Sequence, residues 1–430
     1  MKSHILSSAF ATVFLVAVGL LPGSPAHADV TISVWSHEAD QPAKVAFREL
    51  AARSVERAHP GTHVKITWYE LSAMNAALRT ALPAGQGPDV FYLEPDQTDY
   101  ITSGYILPLD NLINWNEIQS WARGPRVEGK TWMMPQEAYT VELYYNKAVL
   151  QKLGFTLPSN AQFTQNQFLA LVRKCRAAGI TPIAEGVGDR PFPGAYLVGE
   201  SLLHKLGLGD YGRLLHGQIS FHDSRVMAVM NWVKQLVDAG AYPKNFMTLK
   251  LGESHSYFYQ KPGALMFPVG SWFIGRAFAP ASQGGMPAGF PLGIMQYPAI
   301  DKAACNECKT IGIGASFAIN AATKHRDLAA AFLNTMSTPE MGQRWINTVY
   351  EQSAVRTGDV PFTGPYASYF AELQERQKGE KYFLGLPVVD TEDQCRDAWA
   401  QVMNAAFPGG LVTADRAATL MDEACYRRSH

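Results

Sequence analysis

Val30, Ile32 and Val34 alternate with polar residues, the period of a strand with one buried face. Residues 41–58 read as a helix, with Val45, Leu50 and Val55 set among small and charged residues. After the turn signal His59-Pro60-Gly61, the alternation returns at Val64, Ile66 and Trp68. A second helical stretch around 72–82 stops at Pro83 and Gly85, and Gly87-Pro88-Asp89 leads into the short apolar run Val90-Phe91-Tyr92-Leu93. Strand, helix, strand, helix, strand predicts parallel pairing through right-handed crossovers, hence an open α/β sheet. Ligands of such sheets sit in the loops that follow the strands, here Trp35-Ser36-His37-Glu38 and Glu94-Pro95-Asp96. Each loop places an acidic group at the edge of a cleft; a helix cap or a solvated loop charge is the plainer reading of the same residues.

A second α/β region begins near residue 140. Val141, Leu143 and Tyr145 alternate with Glu142, Tyr144 and Asn146 as in a strand, and helical patterns follow at 163–178 and 222–240. In the latter, Val226, Val229, Met230, Val233, Leu236 and Val237 form one apolar stripe, with Asp223 as the predicted cap and Gly240 as the stop. Gly263 to Val269 reads as a buried strand, Ile311 to Ile319 as another, and Arg326 to Met336 as a helix. Ser337-Thr338-Pro339-Glu340 has the form of a capping box with an early proline, which predicts a further helix start. No repeat with a period of about 20–50 residues is present, so a solenoid is not indicated.

The first residues stand apart from this pattern. Lys2, the apolar run Phe10 to Leu21 and the small-x-small triplet Ala26-His27-Ala28 form an export signal with cleavage expected after Ala28. That run is too short to span the roughly 30 Å of membrane hydrocarbon. Over the whole chain of 430 residues, 47% are hydrophobic and 17% charged, which supports large cores and argues against disorder. The 37 basic and 38 acidic residues leave a net charge of −1, so no positive field favours nucleic acid or an anionic membrane surface.

Export places the five cysteines in a compartment where disulfides persist. Cys305-Asn306-Glu307-Cys308 lacks a second ligand pair for zinc and a following helix start for redox chemistry, so a small disulfide-pinned loop is the first choice. Cys395 and Cys425 fall in the last two helical patterns and would staple the C-terminus, leaving Cys175 unpaired; sequence alone leaves the connectivity open.

Enzyme motifs are missing. There is no G-x-S-x-G elbow, H-E-x-x-H pair, G-x-x-x-x-G-K-[ST] phosphate loop, or G-x-G-x-x-G entering a helix, and Phe317 stands where the third glycine after Gly312 and Gly314 would be needed. No cofactor or metal is implied. Aromatic and acidic residues do gather at the predicted strand ends, among them Trp35, Tyr92, Tyr139, Tyr144, Trp272 and Phe273. A sugar ring offers C–H faces that stack on aromatics, and a rim of hydroxyls that carboxylates accept from and arginines donate to. Core packing is the competing explanation for each aromatic taken singly.

At this point the order of motifs becomes informative. An export signal, Val30-x-Ile32-x-Val34-Trp35, Gly87-Pro88-Asp89-Val90, Leu143-Tyr144-Tyr145-Asn146-Lys147, Met266 to Trp272, and Ala318-Ile319-Asn320-Ala321 before a helix resembles the extracellular solute-binding proteins of bacterial carbohydrate ABC importers, the family 1 group that contains maltose-binding protein. The tail, Met403-Asn404-Ala405-Ala406 followed by Thr413 to Ala424, also resembles the closing helices of that group, so the likeness spans the chain after the signal.

The resemblance implies a two-lobe periplasmic-binding-protein fold, α/β, with interleaved lobes, a hinge and a central ligand cleft. It places a first lobe at 29–137 and 311–337 and a second at 138–310 and 338–430, with crossings near Pro135 to Tyr139, just before Ile311, and near Ser337. Carried over residue by residue, Glu38 and Asp96 fall on sugar-binding carboxylate positions, Tyr139 on a polar contact, Trp272 on a stacking tryptophan, Gly314 on a backbone contact and Arg356 on a polar contact. Trp35, Glu70, Glu94, Glu137 and Phe192 align more loosely near the same cleft. Ala315 stands where the family has an aromatic residue, and the tryptophan that many disaccharide binders carry in the final helices has no match, so fewer stacking platforms are expected.

The implied function is capture of a sugar or sugar-like polyol in the periplasm and delivery to permease subunits in the inner membrane, by a monomer without catalytic activity. Alternatives are the same fold holding a non-sugar solute such as glycerol phosphate, a peptide or a siderophore, or an exported glycoside hydrolase built on two of the carboxylates.

Overall fold

A computed structural model describes residues 29–95, 97–123, 126–188, 196–260, 263–358, 366–385, 393–407 and 409–426. The export signal with its cleavage point after Ala28, and the candidate residues Asp96 and Phe192, lie outside the described residues. The strands are, in chain order, β1 (Val30–Ser36), β2 (Thr62–Trp68), β3 (Val90–Leu93), β4 (Met134–Pro135), β5 (Glu137–Asn146) and β6 (Thr181–Ile183). They continue with β7 (Ala264–Gly270), β8 (Leu292–Met295), β9 (Cys308–Ile313), β10 (Ser316–Ile319), β11 (Gln352–Ser353) and β12 (Lys381–Leu384).

The strands form two sheets, each the centre of one α/β lobe. The first has the order β2-β1-β3-β10-β4, with β1 parallel to β2 and β3 as the strand–helix alternation predicts, and with β10 antiparallel to β3 and β4. The second has the order β12-β9-β5-β7-β6, with β8 and β11 also paired to β5. Because β5 is central, its alternation does not divide inside from outside. Val141, Leu143 and Tyr145 enter one apolar core and Tyr144 another, and both faces are covered. The continuous apolar run of β7 is buried at every position, as its composition predicts.

The apolar stretch 311–319 is two strands rather than one. β9 ends at Ile313 in the second sheet and β10 starts at Ser316 in the first, so the chain crosses between lobes at Gly314-Ala315 instead of before Ile311. The first crossing lies between β4 and β5. The third is approached at β11, which pairs with the start of β5, rather than at Ser337, and Ala354 and Val355 beyond β11 still pack in the core of the first lobe with Met341, Trp345 and Val349. The three crossings run side by side. Gln136 N–H donates to Ala315 O at 2.9 Å, and Ala354 N–H donates to Gln136 O at 3.0 Å.

Local signals place the helices well. Asp223 caps the helix Ser224–Asp238 by accepting from Arg225 N–H at 2.8 Å, and Gly240 follows it at φ 76°, a conformation that glycine adopts without strain. Asp223→Ala is expected to lower stability by about 1 kcal/mol in thermal unfolding. The cap predicted around Ser337 moves one residue along. Thr338 accepts from Met341 N–H at 3.3 Å, while Ser337 ends the preceding helix.

Both disulfides take the predicted pairing. Cys305–Cys308 pins its loop, Cys395–Cys425 joins the last helices, and Cys175 is free and buried. No described helix is long and apolar enough to cross a membrane.

Candidate functional site

The candidate site is built where the crossings meet the loop after β1. Glu38 sits in that loop at φ 74°, buried, with its carboxylate aimed at the helix Pro42–Ala58. Lys44 Nζ donates to Glu38 Oε1 at 2.7 Å and Arg48 donates to Oε2 at 2.7 Å. Lys44 and Arg48 are four residues apart and therefore share one helix face, with Phe47, Ala51, Ala52 and Val55 completing the buried side. The stripe read from Val45, Leu50 and Val55 thus captures only part of the face that turns inward.

Lys44 also reaches both lobe-crossing strands. Its ammonium lies 3.0 Å from Glu137 Oε2 at the start of β5 and 2.9 Å from Glu351 Oε2 just before β11. Two cations thus meet three carboxylates. Burial alone would raise Glu38, but Lys44 and Arg48 outweigh it and hold the carboxyl well below the usual carboxylate range. Burial, aided by repulsion from Glu137, pushes Glu351 well above that range, against the pull of Lys44. Burial also lowers His37 to about 4, so its ring is neutral where it packs edge-on to Tyr92 at 4.2 Å.

The second lobe supplies aromatic rings. Trp272 follows β7, and its ring contacts Tyr139 edge-on at 4.4 Å and Tyr196 at 6.1 Å, all three partly exposed. Glycines make this arrangement possible. A side chain at Gly270 would overlap the Trp272 ring, one at Gly312 the Tyr139 ring, and one at Gly314 the Glu137 carboxylate. The Trp272 turn is fixed to the crossings, since Ser271 N–H donates to Thr140 O at 2.8 Å and Gln352 Nε2 donates to Ser271 Oγ at 3.2 Å.

Among the residues singled out in the sequence, Glu38, Glu137, Tyr139, Trp272 and Gly314 come together here. Arg356 is exposed, and its Nε donates to Ile118 O at 3.1 Å on the first-lobe side. Trp35 packs on Tyr69 at 5.0 Å, and Glu94 lies partly buried beside Tyr92 on the loop after β3. Glu70 caps the helix Leu71–Ala81 through Ala73 N–H at 3.1 Å; bonds from Ser72 and Ala73 hold its carboxyl below the usual range. Sequence reasoning missed Lys44, Arg48, Tyr196 and Glu351. The spacing of Lys44 and Arg48 with Phe47, Ala51 and Ala52 carried a signal for the first two; nothing local marked the others.

The chain resembles proteins of known kind along most of its length. A multiple sugar-binding protein of Streptococcus mutans is 26% identical over 357 residues, covering 80% of each chain. A maltotriose-binding protein of Pyrococcus abyssi is 31% identical over 94 residues, 21% of each chain. Among solved structures, a chitin oligosaccharide binding protein superposes with a TM-score of 0.77 at 20% identity, covering 92% of this chain and 98% of that one. The maltose/maltodextrin-binding domain MalE from Bdellovibrio bacteriovorus, bound to maltotriose, superposes with a TM-score of 0.69 at 17% identity over 92% and 98% of the two chains. These structural likenesses show the two-lobe periplasmic-binding-protein fold. Residues 39–343 match the family model described as bacterial extracellular solute-binding protein, and the chain belongs to that family.

Proposed function

We propose that this protein is the substrate-binding component of an ABC importer, which holds an uncharged sugar or sugar-like polyol between its lobes and presents it to permease subunits in the inner membrane. The observation that carries the reading is the glycine-backed aromatic corner of Trp272, Tyr139 and Tyr196, set beside a cluster whose two cations are already paired with carboxylates. Trp272 stacks on a sugar face, Tyr139 and Tyr196 line it, and the Gly314 backbone and the carboxylates of Glu94 and Asp96 meet hydroxyls. Glu38 acts through Lys44 and Arg48, which already occupy both of its oxygens. Arg356 donates from the rim.

Closure over the ligand requires that it bind the closed state better than the open one, with no bond made or broken. The protein works in the periplasm as a monomer after removal of residues 1–28, and two disulfides suit that oxidising compartment. An anionic solute such as glycerol phosphate would need cations that are not matched by carboxylates. In the cluster at the crossings, both Lys44 and Arg48 are matched.

Calorimetric titration against monosaccharides, disaccharides, polyols and uronates tests this. Binding is expected for a neutral sugar and at least tenfold weaker for the matching uronate, since about 1.4 kcal/mol of unmatched charge is enough for that difference. No heat from any member of the panel would end the carbohydrate reading, and reducing sugar released from the ligand would point to a hydrolase.

A further inference from the structure

The two lobes also touch outside the aromatic corner. Asp40, two residues beyond Glu38 in the first lobe, lies 3.2 Å from the guanidinium of Arg276, which belongs to the second-lobe helix Phe273–Ala277. That helix starts directly after Trp272. Its Gly275 packs so closely on the Glu351 carboxylate that a side chain there would overlap it, and Glu351 is in turn held by Lys44. The segment from Glu38 to Lys44 therefore faces the Trp272 helix at two points, one inside and one at the rim.

The inner contact adjoins the crossings, where opening displaces atoms least. The rim contact has no covalent tether nearby, and both of its side chains reach solvent, at 62% exposure for Asp40 and 32% for Arg276. Its two partners sit on different lobes, so parting the lobes would break it. An interaction present in only one of two states shifts the balance toward that state by its own free energy.

We propose that Asp40 and Arg276 form a closure latch, a pair of positioning residues that set ligand residence time by favouring the closed lobes without touching the ligand. The proposal rests on the cleft being the sugar site. An exposed pair of this kind is worth a few-fold in affinity, and salt screens it.

The test uses Asp40→Asn, Arg276→Gln and the exchange Asp40→Arg with Arg276→Asp in the full protein. Each single variant is expected to bind the sugar found by calorimetry about three- to fivefold more weakly, through faster dissociation, and to lose the salt dependence of the parent's affinity. The exchange variant restores both. Unchanged dissociation rates in the single variants, or an exchange variant no better than either, would overturn the latch. Spin labels on exposed Arg53 of the first lobe and Lys234 of the second, each replaced by cysteine, read lobe separation without sugar. If no sugar binds, the sugar reading fails by itself. The latch then stands on fewer closed-distance pairs in the single variants and falls on an unchanged distribution.

Discussion

Trp272→Ala is expected to weaken sugar binding by tenfold to a hundredfold while the protein stays folded. A tryptophan ring covers on the order of 150–250 Å² of apolar surface when buried, and each factor of ten in affinity corresponds to about 1.4 kcal/mol. The ring is held in place from three sides. Gly270 leaves room beneath it, Tyr139 fixes its edge at 4.4 Å and Tyr196 approaches at 6.1 Å. A held ring loses little conformational entropy on binding, so its loss falls on affinity rather than on stability. Trp272 is itself only partly buried and lies beyond the end of β7, so the core tolerates its removal. Calorimetry with the cognate sugar, alongside circular dichroism, separates the two effects. Gly270→Ala provides an independent check, since its methyl group displaces the ring without deleting it, and an intermediate loss is expected. Unchanged affinity in Trp272→Ala would remove this residue from the site.

Much of the fold was legible because its signals are local. The alternation of Val30, Ile32 and Val34 and the cap at Asp223 depend on neighbours a few residues away, and the apolar run of β7 needs only to be buried on both faces. The run 311–319 failed for the opposite reason. Both of its halves are apolar and extended, and nothing in the residues says that β9 bonds to β5 and β12 while β10 bonds to β3 and β4. Lys44 and Arg48 were hidden in the same way. A charged residue in a helix ordinarily faces water, and these two turn inward because Glu38, Glu137 and Glu351 arrive from loops and strands that in the case of Glu351 lie 307 residues along the chain from Lys44. The readings of Trp272 as a stacking residue and of Glu38 and Asp96 as sugar-binding carboxylates came from resemblance, not periodicity. So did Arg356, whose Nε the structure commits to the Ile118 carbonyl.

The largest stability effect is expected at Lys309, the centre of a second buried charge cluster. Lys309 extends from β9 to Glu142 on β5 at 2.7 Å and to Glu380, just before β12, at 2.5 Å, with the three side chains 3%, 0% and 4% exposed. Thr140 adds its hydroxyl to Glu142 at 2.6 Å. One ammonium therefore joins three strands of the second sheet. Lys309→Met keeps most of the volume but leaves two buried carboxylates without a cation. Removing one member of such a cluster costs about 3–5 kcal/mol, most of it the penalty of the charges left behind. Protonation relieves that penalty. Burial already raises Glu380 in the native protein, and losing Lys309 raises it further. A carboxyl whose folded pKa is raised favours the folded state at low pH and loses that contribution as pH rises. The variant's deficit should accordingly be greater at pH 8 than at pH 5 in denaturant unfolding. Adding Glu142→Gln and Glu380→Gln to Lys309→Met should recover much of the stability, because the loss lies in unmatched charge rather than in packing. A deficit below about 1 kcal/mol at pH 8, or one independent of pH, would show that water reaches these carboxylates and that the ammonium is not what holds the three strands together.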